Sequence, residues 1–183
     1  VAALFWTIAE KYLGLKVGEI PPVLETPNMG LLHPDYQGYF TSPCQYLEWY
    51  QNRSQDRQNV DSPNSRISKP PIVGILLYRK HVITKQKYIP QLIRYFEQAG
   101  LIPLPIFING VEGHIAVRDW LTTAHERGLS SHSPAKEAVA VDAIVSTIGF
   151  TLVGGPAGSM EGGRKAQVTQ EILNAKNVPY IVA

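Results

Sequence analysis

Very little in this sequence is available for covalent or metal chemistry. A single cysteine, Cys44, in 183 residues excludes an internal disulfide and fits a reducing compartment. The five histidines, His33, His81, His114, His125 and His132, are scattered, without the His-x-x-x-His or Cys-x-x-Cys pairings of a preformed zinc site. Net charge is also small, with 17 Lys plus Arg against 15 Asp plus Glu and no basic cluster beyond Arg79-Lys80-His81, which argues against a nucleic-acid partner. No apolar run approaches the ~20 residues needed to span a bilayer, and the first residues lack the basic flank and small-residue cleavage site of a signal peptide. The expectation is a soluble chain with one sizeable domain, or one domain and an appendage. It opens without Met inside a helical pattern and stops at Ala183 just after a strand pattern, so it reads as a piece of something longer.

What is present divides near Pro71. Leu4, Phe5, Ile8, Ala9 and Tyr12 repeat at helical spacing, Gly14 stands where a helix ends, and the helix is expected to bury that face. From Lys16 to Phe40, prolines and glycines (Pro21, Pro22, Pro27, Gly30, Pro34, Gly38) predict extended chain. Ser42, Pro43 and Gln45 have the order of a capping box, ahead of an apolar stripe of Tyr46, Leu47, Trp49 and Tyr50. Ser54 to Pro71 is a polar linker. Beyond it, Ile72–Leu77, Leu104–Ile108, Val141–Ile148 and Tyr180–Val182 read as strands. They alternate with helical stripes at Leu92, Ile93 and Phe96, at Val117, Trp120, Leu121 and Ala124, and at Val168, Ile172 and Ala175. Continuous apolar runs mark strands covered on both faces, and the alternation implies a parallel sheet with right-handed crossovers. The expected class is α/β, with a parallel flavodoxin- or Rossmann-like sheet confined to 71–183. Residues 1–70 form a helical and extended segment belonging to an adjoining domain.

In such a sheet, ligands bind beyond the carboxyl ends of the strands. The loops leaving that edge carry Arg79 and His81 after the first strand, Asn109-Gly110 after the second, and Gly149 to Gly158 after the third. Arg79 and His81 suit an anionic group such as a carboxylate. Gly154 and Gly155 belong to a glycine loop without the spacing of a nucleotide-binding motif, and Leu152-Val153 makes it too apolar for a phosphate cradle. Packing against a neighbouring domain, or against a flat apolar ligand, suits it better. His33-Pro34-Asp35 reads as a turn. Ser146, Ser159 and Cys44 have no base at readable spacing, so no catalytic residue is assigned.

Three blocks carry a resemblance. Gly30-Leu31-Leu32-His33-Pro34, with the later Tyr46-Leu47-Glu48-Trp49-Tyr50, resembles the linker region of the porphyrin-binding large (H) subunits of magnesium chelatase. Val73 to Thr84, with Arg79, His81 and Thr84 in register, is similar to a strand and loop of the same subunits. The most specific block is Gly149 to Ala157, continuing through Val178 to Ala183. Lys85-Gln86 departs from the Gly-Asp expected after Thr84, and Gly158 to Arg164 is longer than in the common form. The related large subunit of cobaltochelatase is an alternative. So is a free-standing flavodoxin-like binding module, which would need a phosphate loop or an acidic cluster at the strand ends. The resemblance implies a parent that binds protoporphyrin IX for ATP-dependent Mg²⁺ insertion toward chlorophyll, in the chloroplast stroma or a cyanobacterial cytoplasm. It also implies that ATP is used by separate AAA+ subunits, alongside an integrin-like subunit. This piece would bind no cofactor itself and serve as scaffold. Its edge residues Arg79, His81, Gly154 and Gly155 would face the porphyrin or the remaining domains of its own chain.

Overall fold

The computed structural model describes residues 2–20, 25–57, 70–109, 113–124, 126–128, 138–149, 152–153 and 162–183. The fold is governed by its most apolar strand. In β2 (Ile72–Tyr78) every residue from Ile72 to Leu77 is buried. Alternate side chains enter two separate cores: Ile72 and Leu76 on one face, Val73, Ile75 and Leu77 on the other. Such a strand must be covered on both faces and paired on both edges. It pairs in parallel with β3 (Ile102–Ile108) on one side and with β4 (Ala143–Ser146) on the other. β5 (Tyr180–Val182) continues the parallel sheet beyond β4. Asp142 strengthens the entry to β4, because its backbone N–H donates to Ile72 O at 2.8 Å and its carboxylate accepts from Ile72 N–H at 2.7 Å.

The parallel α/β expectation therefore holds, with one correction to its limits. The sheet is five-stranded and is not confined to residues after Pro71: β1 (Met29–Leu31) adds an antiparallel edge strand beside β3. Gly30 allows this pairing, since a Cβ there would lie 2.6 Å from the Phe107 ring. The prolines of β3 set its length. Odd-numbered amides of β3 face β1, as in Asn109 N–H to Asn28 O at 2.9 Å, so Pro103 and Pro105 present no donors and the ladder stops after Leu32 N–H bonds Pro105 O. On its other edge, β1 exchanges two bonds between Leu31 and Phe40.

Helices cover both faces. α4 (Tyr88–Gln98), following the short α3 (Arg79–Ile83), buries Ile89 and Ile93 in the core that holds Val73, Ile75 and Leu77. The opposite core receives Tyr46 of α2 (Pro43–Arg57) and Ile172 of α6 (Gly162–Lys176). It also takes Ala116 of α5 (Gly113–Ala116), with Val117, Trp120 and Leu121 of the π-helical turn Val117–Leu121 that follows. α2 begins at Pro43 with Ser42 Oγ accepting from Gln45 N–H, but Gln45 reaches back to the Thr41 amide, one residue earlier than a standard capping box.

Three further expectations are corrected in extent. The stripe Val117 to Ala124 ends at Leu121, where the Thr122 hydroxyl donates to Val117 O at 2.7 Å and the backbone turns to φ −115°, ψ 108°. The third strand is shorter than Val141–Ile148. Most distinctly, α1 (Ala2–Leu13) buries none of its residues: Leu4, Phe5 and Tyr12 are 61%, 63% and 80% exposed. No helix among the described residues is long and apolar enough to cross a membrane.

Replacing Gly30 by alanine forces its new Cβ into the Phe107 ring. The expected loss is about 1–3 kcal/mol, the usual range for overpacking a filled site. Amide exchange at Leu32 and Asn109 should accelerate selectively; unchanged protection there would show that β1 tolerates the clash.

Candidate functional site

The order β1-β3-β2-β4-β5 locates the place to look. The chain passes from β2 to β3 on one side, then crosses back to β4 on the other, so the winding reverses between β2 and β4. A crevice at the carboxyl ends of those two strands is where open α/β sheets bind ligands. Thr147 closes the gap between them at the backbone level: its N–H and hydroxyl both donate to Leu76 O, at 2.9 and 3.1 Å.

Beyond the strand ends, the sequence-derived candidates have distinct environments. Arg79, the first residue of α3, turns onto the segment preceding β1, where Nε donates to Pro27 O at 2.7 Å and an Nη donates to Thr26 O. Its fork is therefore bound to backbone. His81 lies half-buried between the rings of Tyr78 and Tyr88, with Nδ1 3.0 Å from the Tyr88 hydroxyl. Gly149 leaves β4 with φ +73°, a left-handed turn that favours glycine. Gly154 and Gly155 lie outside the described residues. Leu152 and Val153 are buried in the chain's own core rather than turned toward a ligand or another domain, and Leu152 O accepts from His114 N–H at 3.3 Å. His114, at the start of α5, joins the same edge. Its Nδ1 is buried without a hydrogen-bond partner among the described residues.

The densest polar cluster has no counterpart among the motifs visible in the sequence. His33 accepts from the Asp35 backbone N–H on Nδ1 at 3.1 Å, and its Nε2 lies 3.2 Å from Glu97 Oε1 and 2.7 Å from Arg53 Nη1. Arg53 donates to the same oxygen at 2.7 Å, and Arg94 bonds both Glu97 and Asp35. Trp49 and Tyr50 flank the imidazole, with ring centroids 4.9 and 6.0 Å from it, and Arg53 lies over both rings at 5.5 and 5.3 Å. Desolvation pushes His33 down to about 4, with the Arg53 charge acting in the same direction. Hydrogen bonding from Arg94 holds Asp35 low; for Glu97, burial pulls upward but the two arginines prevail. Two cations thus meet two anions around a neutral imidazole. This is a charge-balanced lock joining the turn after β1 to α2 and α4. Elsewhere a buried cation, Lys176 of α6, donates to Glu126 Oε1 at 2.6 Å. Among the described residues, no group of three or more His, Cys, Asp or Glu is placed to hold a metal ion.

These features define a doubly wound α/β domain with a flavodoxin-like strand order, an added antiparallel edge strand and a carboxyl edge braced largely by its own backbone. Its sequence places it in a family: the CobN/Magnesium Chelatase model matches residues 1–183, and the chain belongs to that family. It is 36% identical, over all 183 residues, to the magnesium-chelatase H subunit of Chlorobaculum parvum, of which it covers 12%. It is 30% identical over 155 residues to the chloroplastic ChlH subunit of magnesium chelatase from Oryza sativa, a match spanning 84% of the chain and 10% of the relative. A solved structure of the catalytic subunit of cobaltochelatase from Mycobacterium tuberculosis aligns with a TM-score of 0.48 at 20% identity, over 99% of this chain and 12% of that one.

The lock has a pH signature. His33 stays neutral in the folded chain to about pH 4, whereas unfolded histidine protonates near 6.5. Between those values the unfolded state binds more protons, so this contribution to stability is whole above about pH 7 and shrinks as pH falls. It amounts to roughly 3 kcal/mol in total and about 2 kcal/mol by pH 5. Urea midpoints measured from pH 7 to 5 should fall accordingly, and His33→Phe should flatten that slope. An identical slope in the variant would assign it to other groups.

Proposed function

We propose that the chain is a scaffold segment of the large, porphyrin-binding subunit of a magnesium chelatase, whose assembly inserts Mg²⁺ into protoporphyrin IX on the route to chlorophyll. The observation that carries this reading is the family match over the entire chain, together with its similarity to magnesium-chelatase H subunits. Because the chain spans about 12% of the length of such a relative, the activity belongs to the whole subunit. Mg²⁺ and the porphyrin are substrates of that subunit. ATP is consumed by separate AAA+ subunits working with an integrin-like one, in the chloroplast stroma or the bacterial cytoplasm.

Within that assembly, the carboxyl edge of the sheet faces the porphyrin cavity or a neighbouring domain of the same chain. Arg79 acts there by fixing the segment before β1, since its Nε and one Nη donate to the Pro27 and Thr26 carbonyls. His81, beside the Tyr78 and Tyr88 rings, lines the same edge, and Gly154 and Gly155 are assigned to it from the sequence alone. The uncovered apolar side chains of α1 fit the same picture, in which the first part of the chain adjoins another domain.

The test is reconstitution of the full-length subunit with its partners, ATP and Mg²⁺, followed by the fluorescence of the metallated porphyrin. Magnesium insertion is expected; assembly-dependent insertion of Co²⁺ instead would reject the reading. The 183-residue piece alone should neither hydrolyse ATP nor insert metal. In the full subunit, Arg79→Ala is expected to lower the thermal midpoint while leaving the porphyrin dissociation constant unchanged. Weakening by about 1–3 kcal/mol would instead mark a direct charge-assisted bond to the ligand.

A further inference from the structure

The turn between α3 and α4 builds an open pocket of about 480 Å³ that plays no part in the proposed chelatase role. That size lies within the range of small-molecule sites, roughly 300–1,000 Å³. Its floor is apolar: Leu32 from the segment after β1, Val82 of α3 and the buried Ile89 of α4. Pro34 and Pro90 form further walls and bring no N–H into the space. The polar groups gather in one short stretch of the wall, Lys85-Gln86-Lys87, joined by Gln91.

The charge there has one sign. Among the described residues that line it, none is acidic. Asp35, next to Pro34 in the chain, is already paired with Arg94 and Arg53. Both lysines are exposed. Lys85 is held in a left-handed conformation, φ 50°, by a tight turn in which its N–H donates to Val82 O at 3.0 Å and the Gln86 N–H donates to His81 O at 2.9 Å. A side chain other than glycine is disfavoured in that conformation, yet this one places a cation at the mouth.

We infer that this pocket binds a small apolar molecule bearing a carboxylate, with its body against Leu32, Val82 and Ile89 and its anionic end toward Lys85 and Lys87. The apolar floor supplies burial and the ammonium groups supply charge-assisted hydrogen bonds to the acid. An uncharged analogue would gain only the first of these. Such binding does not depend on the chelatase role, because the residues that line the pocket are not among those assigned to that role.

A site-resolved test uses the full-length protein and a dodecanoate carrying a diazirine in its tail, with the matching dodecanol as control. After photolysis and proteolysis, adducts are mapped by mass spectrometry. Dodecanoate should label peptides containing residues 32–34 and 82–91, at least about fivefold more than the alcohol does, and less as salt is raised. Lys85→Asn with Lys87→Gln should remove most of the difference between acid and alcohol; both positions are exposed, and Asn tolerates the left-handed backbone. Val82→Trp should block labelling of both by filling the floor. Competition then separates two sources of the same chemistry: displacement by unlabelled laurate indicates an alkyl chain, displacement by 2-naphthoate a flat ring. Equal labelling by acid and alcohol, adducts spread without preference for these peptides, displacement by neither competitor, or full discrimination in the lysine double variant would each overturn the inference.

Discussion

The structure hangs on a strand that cannot be left uncovered anywhere. β2 has no charged side chain and is buried from Ile72 to Leu77, so its backbone groups need partners on both edges and its side chains need helices on both faces. Parallel pairing to β3 and β4 meets the first demand. Meeting it forces long crossovers, and these deliver α4 to one face and α5 with its π turn to the other. The reversal of winding at β2, and with it the crevice at the carboxyl ends, follows from the same requirement.

Much of this is legible because burial on both faces writes itself into consecutive residues. Ile72–Leu77 and Leu104–Ile108 need no context to be read as strands, and Tyr46, Trp49 and Tyr50 announce a helix with an inner face. What stays hidden depends on partners distant in sequence. β1 has only Met29, Gly30 and Leu31, surrounded by prolines and glycines, and becomes a strand because β3 offers it free amides. The lock around His33 is invisible in sequence for a similar reason. Its members sit at positions 33, 35, 53, 94 and 97, each ordinary where it stands, and only the folded placement of the turn after β1, α2 and α4 brings their charges together.

The candidate site is legible in place more than in action. Strand ends and loops can be assigned, and the adjacency of β2 and β4 agrees with that assignment. Whether a given arginine is available is a different question. Arg79 resembles a ligand group because its neighbours are polar; its actual partners, two carbonyls some fifty residues earlier, leave no trace in local sequence. Conversely, the apolar pair Leu152-Val153 resembles a surface for something external and is an internal plug. Outward-facing apolar side chains are instead concentrated on α1, where Leu4, Phe5, Tyr12 and Leu13 are exposed.

The prolines of β3 have a bearing on how such a sheet avoids unwanted company. An open strand edge invites a second chain to add on, and sheets discourage this by shortening or interrupting their edges. Here the half of β3 that β1 leaves uncovered offers carbonyls but no N–H at 103 or 105, while the outer side of β1 is already engaged by Phe40. A newly made chain whose β1 had not yet docked would expose β3 as an incomplete template, unable to complete a ladder with a neighbouring copy. Two residues that weaken the sheet locally would thereby limit self-association while the fold is still assembling.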